Sequence, residues 1–272
     1  MIRRIRNRFL AAVCLVLLTA CEGRESVPQC GPGSAENQQG VQSFSALILR
    51  KRDHTSAYLA RAKCLYFIGS YEPALQDLNE VIRRRPRQAE AYLYRAKIEK
   101  MLKRTLQALE DYSTSIRLEP TAEAYYDRGV LYLKEFTNKD GEALEDFNGA
   151  VGLDPKHIPA YKARAEILRK YGQYLSALQD AETILRLDPS SPRAYCGVGI
   201  AHYALGQESE GKKFLNMCFE KDPSPRIRDH YENEARKAQH ARQPRRGGGG
   251  IMSEDQEVPT QDLQTGPQGH TE

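Results

Sequence analysis

Apolar and small residues along this chain follow two periods, one nested in the other. Within short stretches they fall at helical spacing, as at Val41, Phe44, Leu47 and Ile48. Over longer distances a whole pattern returns. Prolines close successive units at Pro86, Pro120, Pro155, Pro189 and Pro223, at spacings of 34, 35, 34 and 34 residues. A charged residue precedes each of them: Arg85, Glu119, Asp154, Asp188 and Asp222. Each unit holds two helical patterns, and a fixed period near 34 with this layout predicts a helical solenoid.

An Ala-Tyr pair opens the first helix of every unit, at Tyr58, Tyr92, Tyr125, Tyr161 and Tyr195. A small residue follows four places later: Ala62, Ala96, Gly129, Ala165 and Gly199. The second helix has its own small residue twelve places before the closing proline, at Ala74, Ala108, Ala143, Ala177 and Gly211. Leu78, Tyr112, Phe147, Ala181 and Leu215 stand eight places before it. Two helices approach closely only where side chains are small, and a larger side chain fills the gap beside that contact. Proline then ends the second helix by removing a donor and restricting the residue before it. Five such units in register resemble the tetratricopeptide repeat family over roughly residues 55–223. The resemblance implies an all-α fold, a right-handed superhelical solenoid of about five helix-turn-helix repeats (55–88, 89–121, 122–157, 158–191 and 192–223). It also implies a concave binding face lined by the first helix of each repeat.

The flanks fit this frame. Residues 40–54 have the register of a second helix from an incomplete unit and predict an N-terminal cap. Ile227, Tyr231, Ala235 and Ala238 form a stripe within 224–242 and predict a C-terminal capping helix. Residues 21–39, rich in Gly, Ser, Gln, Pro and Glu, read as a linker. Residues 243–272 read as a disordered acidic tail: a hinge with Gly247 to Gly250, then Glu254, Asp255, Glu257, Asp262 and Glu272 with no Lys or Arg. That tail has the charge to fold over a basic groove. In the third unit the turn between helices, around 136–141, is two residues longer than its counterparts, and reads as loop variation or as a binding loop.

Charge changes the picture at the front. The formal net charge is +4, but Arg3, Arg4, Arg6 and Arg8 supply all of the excess. The near-neutral remainder argues against a non-specific nucleic-acid binder. Residues 1–20 have the form of an export signal, with an apolar run from Phe9 to Ala20 too short to span a bilayer. It ends in Leu18-Thr19-Ala20-Cys21, which resembles the bacterial lipobox and makes Cys21 the candidate lipidation site. The expectation is a membrane-anchored lipoprotein or an exported protein, with a cytoplasmic protein as the alternative. Cysteine use points the other way. Cys30 lies in the linker and Cys64, Cys196 and Cys218 in repeats, with no CxxC and with Cys218 at a small core place. Thiols of that kind sit comfortably in a reducing compartment.

No catalytic constellation, cofactor motif or metal-ligand spacing stands out. Gly247 to Gly250 opens no helix, the six histidines are scattered, and His202 takes a packing place. What remains is surface. The groove places carried over from the family resemblance include Lys63 and Tyr66 in the first unit, Tyr94, Lys97 and Lys100 in the second, and Tyr126 in the third. Lys162 and Arg169 in the fourth and Tyr203 in the fifth complete the set. Ammonium groups beside aromatic faces favour a protein or peptide partner with acidic segments and apolar anchors. The carboxylate clamp of chaperone-binding family members needs Asn as well as Lys, and Asn stands at none of these places. The expected function is a non-catalytic scaffold or adaptor holding a peptide or partner helix. A cytosolic eukaryotic adaptor in chaperone or ciliary assembly, or a regulatory subunit of an enzyme, are the alternatives.

One further pattern predicts contacts. Units one to four carry Arg61, Arg95, Arg128 and Arg164 three places after the opening tyrosine. They carry Asp77, Asp111, Asp146 and Asp180 nine places before the closing proline. The fifth unit has Val198 and Phe214 instead. Both charges present or both absent suggests that each pair meets across its two helices.

Overall fold

A computed structural model describes residues 30–242. The expected export signal, Cys21 and the expected acidic tail lie outside the described residues. Over those described, the chain is all-α, with twelve helices and no strand. It divides after Pro86 into two compact bodies.

The N-terminal body holds α1 (Asn37–Arg50), α2 (Thr55–Phe67) and α3 (Tyr71–Arg84). Helix α1 packs on α2, and α2 on α3. Phe44 and Ile48 of α1 bury against Ala57 and Cys64 of α2, so α1 covers the apolar face of the first repeat. The segment before α1, read as linker, is fastened here. Cys30 is disulfide-bonded to Cys64. The buried Asn37 side chain accepts from the Gly31 N–H at 3.1 Å and donates to the Gly31 carbonyl at 2.9 Å. Helices α2 and α3 pack with Ala62, Ala74 and Leu78 all fully buried.

The C-terminal body holds the other four repeats: α4 (Ala89–Met101) with α5 (Thr105–Leu118), α6 (Ala122–Glu135) with α7 (Asp140–Leu153), α8 (Ile158–Lys170) with α9 (Tyr174–Leu187), and α10 (Pro192–Ala204) with α11 (Glu208–Lys221). Helix α12 (Pro225–Arg242) packs on α10 through Tyr231, Ala235 and Ala238. Each second helix also packs on the first helix of the next repeat, and the first helices touch one another in turn. One face of this body is therefore walled by α4, α6, α8 and α10.

Close approach within repeats is enforced by the small residues. A methyl added at Gly129 would sit 2.8 Å from Phe147 Cε1, and one at Gly199 would sit 3.0 Å from the Gly211 carbonyl oxygen. The long turn of the third repeat is tied to the fourth. Asp140, the first residue of α7, accepts from Lys170 and from the Tyr171 hydroxyl at 2.8 Å.

All four expected ion pairs are present. Arg61 chelates Asp77 at 2.7 and 2.7 Å, and Arg95 chelates Asp111 at 2.6 and 2.7 Å. Arg128 holds Asp146 at 2.9 and 2.7 Å, and Arg164 holds Asp180 at 2.9 and 2.6 Å. Each guanidinium lies over the opening tyrosine of its own repeat, 5.3–5.8 Å from the ring centre. Several reach one repeat back as well, as Arg61 to Ser45, Arg128 to Ser113 and Arg164 to Asn148. Planar bidentate pairing with stacking is chemistry that lysine does not reproduce.

The fifth repeat solves the same problem differently. Val198 is buried, and Phe214 stacks between Tyr195 and His202. A disulfide joins Cys196 of α10 to Cys218 of α11. The two disulfides overturn the reading of Cys30, Cys64, Cys196 and Cys218 as free thiols. Partners 34 and 22 residues apart in sequence carry no motif, and only the packing of helices brings them together.

Candidate functional site

The first-helix positions selected from the sequence behave in three ways. In the N-terminal body, Lys63 and Tyr66 are half-buried on α2, and the Tyr66 ring contacts Phe67 and Tyr71 at 5.0 and 6.4 Å.

On α4 of the C-terminal body, Lys97 is buried with its ammonium over the Tyr94 ring at 5.1 Å. It pairs with Glu123 and, at 3.6 Å, with Asp127. Lys100 binds Asp127 at 3.0 Å. These lysines were expected to offer free ammonium groups to an acidic partner. Acids from the first turns of α6 pair with them instead. Tyr126 packs on Phe147 and His157 at 5.9 and 5.0 Å. Tyr203 closes over Gly211, where an added methyl would sit 2.7 Å from its ring. It holds α10 to α11 rather than standing open on the wall.

The third group is different. Lys162 and Arg169 of α8 line a cavity of about 590 Å³ bounded by α8, α9, α10 and the start of α12. Arg193 of α10 and Arg226 and His230 of α12 join them at its rim, with Glu166 the single acid in the lining. The floor is apolar: Ala165, Ala181, Ile184, Ala194 and Ile227. The Nη1 group of Arg169 is enclosed yet has no hydrogen-bond partner. None of Lys162, Arg169, Arg193 and Arg226 forms a salt bridge among the described residues. A buried donor without an acceptor costs about 1–3 kcal/mol, more when charged. The cavity therefore suits an anionic group with apolar neighbours.

Sequence reasoning found Lys162 and Arg169 through their place on a first helix. It missed Arg193, Arg226 and His230, which belong to the start of α10 and to a helix read only as a cap. Among the described residues no cluster of His, Cys, Asp or Glu could hold a metal ion. No described helix is long and apolar enough to cross a membrane.

The architecture recurs in solved structures. The chain superposes on YrrB, a tetratricopeptide-repeat protein with an unusual peptide-binding site, with a TM-score of 0.61 at 17% identity, over 71% of this chain and 99% of that one. The fold is that of the tetratricopeptide-repeat proteins. No protein-family model matches the chain. Among curated sequences, it is 30% identical over 95 residues to small glutamine-rich tetratricopeptide repeat-containing protein 2 of Mycosarcoma maydis, covering 35% of this chain and 27% of that protein. It is 29% identical over 126 residues to heat shock protein STI1 of Saccharomyces cerevisiae, covering 45% of this chain and 21% of that one. The chain thus spans about a quarter of the length of these curated relatives.

Proposed function

We propose that the protein is a non-catalytic interaction scaffold that holds an acidic, partly apolar protein segment in the cavity between α8, α10 and α12. The enclosed, unpartnered Nη1 of Arg169 carries this reading. Cations gathered over an apolar floor steer an acidic segment in, and burial of its apolar side chains retains it. The likeness to tetratricopeptide-repeat proteins, one of them with a peptide-binding site, supports a role in binding. Reversing charge with Arg169→Glu and Arg193→Glu should leave helical circular dichroism unchanged. It should remove the main protein captured by the full chain, quantified by mass spectrometry. Unchanged capture would move the site elsewhere.

The scaffold works outside the reducing cytoplasm and is anchored through a lipid on Cys21. Two disulfides in a chain of this size support an oxidising compartment. The apolar run ending in Leu18-Thr19-Ala20-Cys21 supports export and lipidation. Intact mass of the protein made in a bacterial host checks this. A mature chain beginning at Cys21 with added acyl mass is expected, and Cys21→Ser should release the protein from the membrane fraction. A product that retains Met1 or Ile2 refutes it.

A further inference from the structure

The cavity between α8, α10 and α12 has a second feature: where the chain goes after it. Helix α12 lines the cavity with its first two turns and then runs on to Arg242. Residues 251–258 follow shortly in the sequence as Ile251-Met252-Ser253-Glu254-Asp255-Gln256-Glu257-Val258. Three carboxylates lie between two apolar residues on one side and one on the other. That is the chemistry the cavity asks for, acids for Arg169, Arg193 and Arg226 and apolar side chains for Ile184 and Ile227. We infer that residues 251–258 of the same chain occupy this cavity and compete with its external partner. The inference rests on the reading of the cavity as a binding site.

The distances agree. The level of His230 lies twelve residues before the end of α12, or about 18 Å along the helix at about 1.5 Å per residue. Glu254 lies twelve residues beyond Arg242, and a glycine-rich chain of that length has a root-mean-square span of about 19 Å. A tether whose span matches the distance to be crossed gives the highest effective concentration, on the order of millimolar. The charges agree as well. Four cations face one lining acid, Glu166, with Glu234 of α12 near Arg169 and His230 and Asp188 near Lys162. Other acids that pair with lysines on the first helices, Glu123, Asp127 and Asp140, are engaged with Lys97, Lys100 and Lys170. The cations lining this cavity outnumber the acids near them, which favours an anionic occupant.

The test uses the full, oxidised chain and a fluorescein-labelled peptide of residues 251–258, titrated by anisotropy at low salt. In the wild-type chain the tail competes with the peptide. In the full-length E254K/D255K/E257K variant it does not. With an effective concentration of about 1 mM and a peptide Kd of about 100 µM, the variant should bind the peptide about tenfold more tightly than wild type. Adding R169E and R193E to that variant should abolish binding. K162E with R226E, both at exposed positions, gives the same answer should the first pair disturb folding. Equal affinity for wild type and the tail variant overturns the inference, as does binding that survives both sets of reversals, or no binding at all. If Arg169→Glu and Arg193→Glu still abolish partner capture, the scaffold reading stands while the tail proposal fails. If they leave partner capture unchanged, the scaffold reading fails first.

Discussion

The Arg128–Asp146 pair offers a sharp test, because the fifth repeat already contains its replacement. Asp146 is almost fully buried, with its side chain 3% exposed, and Arg128 is 19% exposed. Burial pushes the Asp146 carboxyl above the usual carboxylate range even though Arg128 binds both of its oxygens. The sign matters. A raised carboxyl pKa means that the folded state holds its proton more tightly than the unfolded chain, so stability is greatest at low pH and declines as the group ionises. The pair as a unit therefore adds little net stability, and the cost lies in breaking half of it. Removing one partner of a buried pair costs about 3–5 kcal/mol, and the partial exposure of Arg128 brings this to about 2–3 kcal/mol. Replacing both by well-packed apolar residues is often neutral. Val198 and Phe214 of the fifth repeat hold the matching places, and Phe214 stacks on Tyr195 and His202, where the third repeat has Tyr125 and Tyr132. Arg128→Val and Asp146→Phe should each cost about 2–3 kcal/mol, and the double variant about 1 kcal/mol. The coupling should be at least about 3 kcal/mol. Native-state hydrogen exchange of amides in α6 and α7 is the assay, because repeat proteins lose repeats separately and a single global midpoint averages them. Costs that add to within about 0.5 kcal/mol would refute the reasoning.

Other outcomes follow from single features. Cys196→Ala with Cys218→Ala opens a 22-residue loop, for a chain-entropy loss of about 3.4 kcal/mol. Exchange should rise in α10, α11 and α12 and stay unchanged in α4 and α5, and an equal response to reductant in wild type and variant would show that the bond is absent. Burial, with Asp111 beside it, pushes the Glu99 carboxyl up to about 7, and its Oε2 is enclosed without a partner. Its folded pKa is raised, so stability is lost as pH rises from about 4.5 through about 7, and Glu99→Gln should be neutral at pH 4 and stabilise by about 1 kcal/mol at pH 8 after allowance for solvent screening. A pH-independent difference in urea midpoint would count against this. Gly199→Ala should destabilise the last repeat by about 1–3 kcal/mol, since the new methyl meets the Gly211 carbonyl oxygen at 3.0 Å and Leu215 Cγ at 2.9 Å. An unchanged melting curve would show that α10 and α11 can separate freely.

The sequence alone determined the repeat, its length, the helix pairs and the residues that let them touch. Those features are local and periodic, so the small residues at Ala62 and Ala74 and the opening Tyr58 could be read from spacing. Even the Arg–Asp ladder was legible, because four copies present together and one copy absent together amount to a repeated double substitution. Tertiary structure decided what spacing cannot encode. Cys30 meets Cys64, and Cys196 meets Cys218, only because helices fold back on each other, and nothing in the residue types announces it. Lys97 and Lys100 looked like a binding wall until Glu123 and Asp127 of the neighbouring helix were seen to answer them. Arg193, Arg226 and His230 belong to different elements, and their convergence on Arg169 depends on how α12 docks on α10. Net charge at a site is a sum over neighbours in space, whereas the sequence lists neighbours along the chain.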